Sequence, residues 1–222
     1  MNDQFKLLVK TALSDLKDDT VTTPISIRLP SHLNDQLDEL ALSLDKPKSY
    51  LLVEFVKAGI ETTDNILREE EQEEQERALK DIEQGAERSA TKAFLLNTNY
   101  RNDKNDHKNM LQNKEAAAFY SPTKKSICRL RKGDSVYLYQ SGVGFVASGI
   151  VEGDLIKDDH GGSADAKYSK ALGSFKTGFK AITAKELKKL VKHNPNFMRT
   201  LVELDSEQKK ALDIEIDKRL AG

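Results

Sequence analysis

Between Thr22 and Ile60 the chain carries one short alternating segment followed by two amphipathic helical repeats, and this constrains its fold more than any other feature. Ile25, Ile27 and Leu29 alternate with Ser26 and Arg28, the period-two pattern of a strand with one buried face. Pro30 ends that strand, and Ser31 suits the N-cap of a helix. Leu33, Leu37, Leu40, Ala41 and Leu44 then recur at spacings of three and four, which places them on one helical face. Asp45-Lys46-Pro47 breaks the repeat, and Pro47 fits the first turn of a second helix. Its stripe is Leu51, Leu52, Phe55, Val56 and Ile60. About forty residues cannot bury three apolar faces among themselves, and a lone strand leaves both edges unpaired. The expectation is a homodimer formed through residues 20–60.

The order and lengths of these elements resemble the ribbon-helix-helix family, over this stretch alone. The resemblance implies that two chains pair their strands into an antiparallel ribbon that enters the DNA major groove. Ser26 and Arg28 would then face base edges, and Lys48 and Ser49 would hold a phosphate. Elementary electrostatics agrees with the second assignment, because free N–H groups and the helix dipole favour an anion at a helix N-terminus. The departure is that Arg28 is the only basic side chain on the ribbon. A ribbon-helix-helix used purely for dimerisation is the alternative.

Charge is unevenly spread. Residues 1–60 carry 7 basic and 9 acidic side chains, and residues 61–90 carry 4 and 11. Residues 91–222 carry 24 and 16, a surplus of +8 within a chain of formal net charge -1. An anionic partner therefore fits the C-terminal part better on bulk charge. No apolar run approaches the roughly 20 residues that a bilayer requires. Asp3, Lys6 and Lys10 interrupt any signal-peptide core. The single cysteine, Cys128, excludes an internal disulfide and a cysteine metal cluster, and points to a reducing cytoplasm.

Phe5, Leu8, Val9, Ala12, Leu13 and Leu16 line one face of an expected N-terminal helix. The mixed charges on its other face argue against a membrane-surface role. From Arg68 to Arg77 ten consecutive residues are polar or charged, in a stretch rich in helix formers. Residues 62–90 read as a solvated helical spacer that frays near Gly85 and holds two domains apart. No a/d seam supports a coiled coil.

After Ala90 the texture changes. AFLLN (93–97) reads as a buried strand and KNMLQNKEAAAFY (108–120) as a short helix. SICRL (126–130) has an apolar strand pattern, followed by the turn RKGD. VYLYQ (136–140), GFVASGIV (144–151) and FKTGFKAI (175–182) read as strands, with DDHGGS as a loop. Thr183-Ala184-Lys185-Glu186 is a capping box that opens a helix, and residues 206–220 form a last helix with Leu212, Ile216 and Leu220 on one face. Short strands interrupted by small helices suggest a curled β-barrel with helices at its ends.

RKGDSVYLYQSGVGFVASGIV resembles the PUA-like superfamily, especially its EVE branch, and the likeness in style extends from AFLLNTN to LVELDSEQKKAL. The resemblance implies a pocket for a nucleobase, often a modified one, in DNA or RNA. Such a pocket stacks the base on flat faces and reads its edge by hydrogen bonds. Asn97, Asn99, Tyr100, Phe119, Tyr120, Tyr137 and Tyr139 are available for it. The chain has no tryptophan, whereas relatives grip the base with tryptophan. By alternation Tyr137 and Tyr139 share one strand face, and Val136 and Leu138 form the opposite, core-like face. The alternative is that the aromatics simply fill the barrel.

Catalytic signals are weak. His32, His107, His160 and His193 lack metal-ligand spacing, and Gly161-Gly162 fits neither a P-loop nor a dinucleotide fingerprint. Cys128 reads as core rather than nucleophile. The expectation is therefore a non-enzymatic α+β protein without a cofactor. Residues 1–61 form a ribbon-helix-helix domain with its N-terminal helix, 62–90 a charged helical linker, and 91–222 a PUA-like β-barrel with helices. The leading functional reading is a cytoplasmic, dimeric, DNA-binding transcriptional regulator whose C-terminal domain recognises a base, nucleotide or RNA. A defence or counter-defence module that binds modified nucleic acid, with the N-terminal part used only for dimerisation, is one alternative. A protein-binding scaffold is the other.

Overall fold

A computed structural model describes residues 23–83 and 90–221, in two units that divide after Ile66. The expected helix over Phe5–Leu16 and the fraying point at Gly85 lie outside the described residues. No described helix is long and apolar enough to cross a membrane.

In the first unit, residues 23–30 form no strand, and among the described residues no other segment pairs with residues 25–29. Helix α1 spans Ser31–Leu44 and helix α2 spans Lys48–Glu83. Pro30 rather than Ser31 occupies the cap position of α1, and its carbonyl accepts from the Leu33 and Asn34 N–H groups at 3.1 Å. Asp45 ends α1 in the left-handed conformation, and the Lys46 N–H closes on the Ala41 carbonyl. Helix α2 does not stop near Ile60. Its sequence has no breaker between Gly59 and Glu83, and its polar run consists of good helix formers, so the helix continues for 36 residues.

Residues 67–83 of α2 belong to the second unit, which corrects the reading of this run as a solvated spacer. Glu71 is buried, and its carboxylate accepts from the N–H groups of Thr200 and Leu201 at 3.3 and 3.2 Å. Burial raises its pKa, while those two bonds act in the opposite direction. Arg199 pairs with Glu70 and Glu74 on the same helix.

The rest of the second unit is a curled, open half-barrel of seven described strands with helices packed on it. In chain order it contains β1 (Ala93–Asn97), α3 (Lys104–Asn113), β2 (Glu115–Phe119), a 3-10 helix (Thr123–Arg129) and β3 (Ser135–Gln140). There follow β4 (Gly144–Val151), β5 (Ile156–His160), β6 (Ser163–Ile182), α4 (Ala184–Leu190), β7 (Leu201–Leu204) and α5 (Ser206–Ala221). The strand order is β2-β6-β4-β3-β1-β7, with β5 also paired to β6. The 20-residue β6 runs along β2 and β5 with its first half and along β4 with its second, and bulges in the β4–β6 ladder bend the sheet.

Several local readings change. Residues 108–120 are not one helix. Lys114 turns left-handed after α3, and EAAAF becomes β2, antiparallel to β6 from Glu115↔Ala171 to Phe119↔Lys167. Alanine tolerates either structure, so tertiary pairing decides. SICRL lies in the 3-10 helix and at its cap rather than in a strand. DDHGGS is the end of β5 and a tight turn into β6, with Gly161 and Gly162 at positive φ. The Thr183–Glu186 capping box forms as expected, and the last helix covers the expected residues.

The central strands β1 and β3 are covered on both faces. Phe94, Leu96, Met110, Val136 and Leu138 share one core with the alanines of β2. Leu95, Tyr137, Tyr139 and Phe145 share the other with Leu187, Leu212 and Ile216. Successive residues of β1 and β3 therefore feed opposite cores. Asp134 of the RKGD turn is fully buried, and its carboxylate accepts from the N–H groups of Lys92 and Arg131, both at 2.8 Å. That carboxylate ties the turn to the entry of β1.

Candidate nucleobase site

The polar end of β1 and the start of α3 are built around one buried carboxylate. Asn99 has φ 61, and its carbonyl accepts from the N–H groups of Asn102 and Asp103. Asp103 caps α3 by accepting from the Asn105 N–H at 2.7 Å. In the first turn of the helix, Asp106 is 2% exposed. Its Oδ2 accepts from Asn99 Nδ2 at 2.8 Å, and its Oδ1 lies 3.2 Å from His160 Nε2. Beside it, Thr98 Oγ1 lies 2.8 Å from His107 Nδ1, and the Tyr100 ring meets the His107 ring edge-on at 5.1 Å. Burial lowers the His107 pKa, which favours the neutral ring.

Aromatic surface closes over His160. The Phe119 ring is 4.5 Å from the imidazole and the Tyr120 ring 5.5 Å, measured between centroids. Tyr120 is 46% exposed and has φ 56. Its hydroxyl lies against Gly161, where a Cβ would stand 2.3 Å from the oxygen and displace the ring, and φ 57 there favours glycine. The result combines a partly open aromatic face with hydrogen-bonding groups held by a buried acid. Chemically it can stack a flat ring and read its edge. Among the described residues no group of three or more His, Cys, Asp or Glu side chains is arranged to hold a metal ion.

Of the residues expected to line such a site, Asn99, Tyr100, Phe119 and Tyr120 fall in this chain of contacts. Asn97, Tyr137 and Tyr139 face the other core. Tyr139 stacks on Phe197 at 4.6 Å and meets Phe145 at 5.3 Å. Tyr137 is 1% exposed, and its hydroxyl donates to Asp213 Oδ1 at 2.5 Å. Burial and that carboxylate push the Tyr137 hydroxyl far above its ordinary range. Asn97 Nδ2 donates to the Phe197 carbonyl at 3.2 Å and to Ser141 Oγ at 3.3 Å. Tyr137 and Tyr139 share one strand face, as the alternation requires, but α4 and α5 cover that face. Asp106, His107 and His160 were not among the expected lining residues. His107 and His160 lie 53 positions apart by residue number, and the pairing of β5 with β6 and of β6 with β2 brings His160 to α3.

In the first unit, Ser26, Arg28 and Ser49 are exposed. Lys48 donates to Asn34 Oδ1 at 3.1 Å and pairs with Asp38 at 2.5 Å, so its ammonium also fastens α2 to α1.

No family model and no curated protein matches this chain. Among solved structures it is similar to protein PSPTO5229 from Pseudomonas syringae, at 12% identity over 56% of this chain and 99% of that one, with a TM-score of 0.38.

Proposed function

We propose that the protein is a dimeric nucleic-acid-binding protein, a regulator in which a ribbon-helix-helix pair binds DNA and the C-terminal unit recognises a nucleobase. The observation that carries the base-recognition half is the Asp106 cluster. A carboxylate fixes Asn99 and His160 beneath a partly open tyrosine, which are the parts a base site needs. The N-terminal half is supported by apolar surface that a single chain leaves bare. Ile25 and Ile27 are 82% and 55% exposed, and Leu33, Leu40, Val53, Val56 and Ile60 are exposed with them. A second copy that pairs its residues 25–29 with these would satisfy the backbone and cover those side chains.

Binding of the full chain to duplex DNA and to a panel of plain and modified single-stranded oligonucleotides tests both halves. Arg28→Ala should weaken specific duplex binding by about 1–3 kcal/mol and relax sequence preference. Tyr120→Ala should weaken base binding by about 1–3 kcal/mol while leaving duplex binding intact. Failure of the wild-type protein to bind any duplex or oligonucleotide would overturn the proposal.

A further inference from the structure

A second feature lies on the opposite face of the β2–β6–β5 ladder. Tyr168 of β6 is in register with Lys157 of β5 and Ala118 of β2, so their side chains share one face. Half-buried, the Tyr168 ring packs against the first core and receives two ammonium groups. Lys124 Nζ is 4.9 Å from its centroid and Lys157 Nζ 5.3 Å. Lys157 also acts on the Cys128 thiol of the neighbouring 3-10 helix, together with Lys125 and Lys170. Four lysines thus converge on one tyrosine and one cysteine.

Their charge is little compensated. Among the described residues neither Lys124 nor Lys157 has a carboxylate partner, and Lys124 donates to the Asp165 main-chain carbonyl at 2.6 Å. Lys170 is likewise held by a carbonyl, that of Leu130. Asp158 follows Lys157 in β5 and so points to the other face, opposite Lys167. Asp134 and Asp154 act on Lys170, which leaves Lys124 and Lys157 as the uncompensated pair over the Tyr168 ring; like charges repel one another, and an anion relieves that repulsion.

The patch is joined to the base site through the backbone. The Lys124 N–H donates to the Tyr120 carbonyl at 2.8 Å, so the lysine that covers Tyr168 lies one turn beyond the exposed tyrosine of the cluster. We propose that Lys124, Lys157 and Tyr168, supported by Lys125 and Lys170, hold the phosphodiester backbone of a nucleic-acid strand whose base occupies the Asp106 site. This rests on the base-site reading and deepens it, because the ligand becomes a base within a polynucleotide rather than a free nucleoside. Lysines interleaved with an aromatic ring suit a single strand, whose phosphates take the charge and whose bases or sugars pack on the ring.

The test uses the full chain in an Arg28→Ala background, which silences groove reading of duplex. K124E/K157E is compared with K185E/K188E, which makes the same charge change at exposed positions of α4. The probes are a single-stranded oligonucleotide, a nucleoside monophosphate, inorganic phosphate and an acidic peptide. K124E/K157E should bind the oligonucleotide about tenfold or more weakly at low salt. The slope of log affinity against log salt should become shallower by about one or more. Mononucleotide binding and the control variant should be unchanged, and inorganic phosphate should compete only weakly. An oligonucleotide affinity and slope unaltered in K124E/K157E would overturn the patch. Loss in Tyr120→Ala alone would then leave the base site standing. Loss in the lysine variant with none in Tyr120→Ala would uphold the patch and remove the base site. An acidic peptide held as tightly as the oligonucleotide would overturn the nucleic-acid assignment.

Discussion

The two units solve the burial problem differently. From Ile25 to Ile66 the hydrophobic residues buried in the single chain are Leu37, Leu51 and Ala58, while Ile25, Ile27, Val53 and Val56 remain exposed. Between Ala93 and Ile216 strands β1 and β3 are covered on both faces, and Leu95, Leu96, Val136, Leu138 and Phe145 are fully buried. Burial of apolar surface is the dominant favourable term in folding, so the second unit has its stabilisation within one chain. Among the described residues the first buries far less. The contrast supports the proposed placing of a second copy at residues 25–60, where it would complete burial, and of a ligand at the Asp106 cluster.

The comparison is broken most directly at the largest stability effects. Tyr139→Ala should destabilise the second unit by about 3–5 kcal/mol, as for any buried aromatic, and Leu138→Ala by about 2–5 kcal/mol. Melting followed on the full chain checks both. A Tyr139→Ala protein with normal melting but impaired base binding would return that ring to the ligand site. Asp134→Ala removes a buried acceptor from two main-chain N–H groups and should cost about 1–3 kcal/mol for each donor left unpaired. Substitutions of similar size on the exposed stripe of the first unit, such as Val53→Ala, should leave melting of the second unit unchanged and weaken only self-association.

Smaller effects sharpen the contrast. Thr183→Ala removes one half of the capping box and should cost about 1 kcal/mol. Burial lowers the His107 pKa below its ordinary 6.5, so the unfolded chain takes up this proton first as pH falls. The sign follows: stability of the second unit is full above about pH 6.5 and declines below it, down to the folded-state pKa. His107→Asn should remove that portion of the acid sensitivity, measured as melting temperature from pH 7.5 to 5.5. An unaltered profile would assign the loss to other groups.

Much of this architecture is legible in the residues. The 3–4 spacing located α1, the start of α2 and α5, and Thr183-x-x-Glu186 located the start of α4. Short strand-like segments between turn residues locate β1 and β4, and period-two alternation locates β3. It could not say that β3 is buried on both faces, because that depends on α4 and α5 packing over Tyr137 and Tyr139. EAAAF misled because three alanines have no strand signal of their own, and β2 exists only through its ladder with β6. The polar run of α2 misled for a related reason. Glu71 looks like any other exposed glutamate in sequence, yet the N–H groups of Thr200 and Leu201 give it a reason to be buried. The candidate site was half visible. Asn99, Tyr100 and Tyr120 were accessible to reasoning about stacking and edge reading. Asp106 and His160 were not, since no local pattern connects a helix residue to the end of a distant hairpin.

Residues 25–60 are proposed to complete themselves with a second copy, and the resulting dimer to bind DNA through Arg28. The most direct measurement is light-scattering mass of the full chain over a hundredfold dilution, repeated for the double variant Ile25→Asp/Ile27→Asp. The account predicts twice the chain mass for the wild type at all but the lowest concentrations. It predicts a single-chain mass and no duplex binding for the variant, with the melting of the second unit unchanged. A wild-type chain that stays monomeric throughout while residues 31–66 remain helical and folded would contradict it.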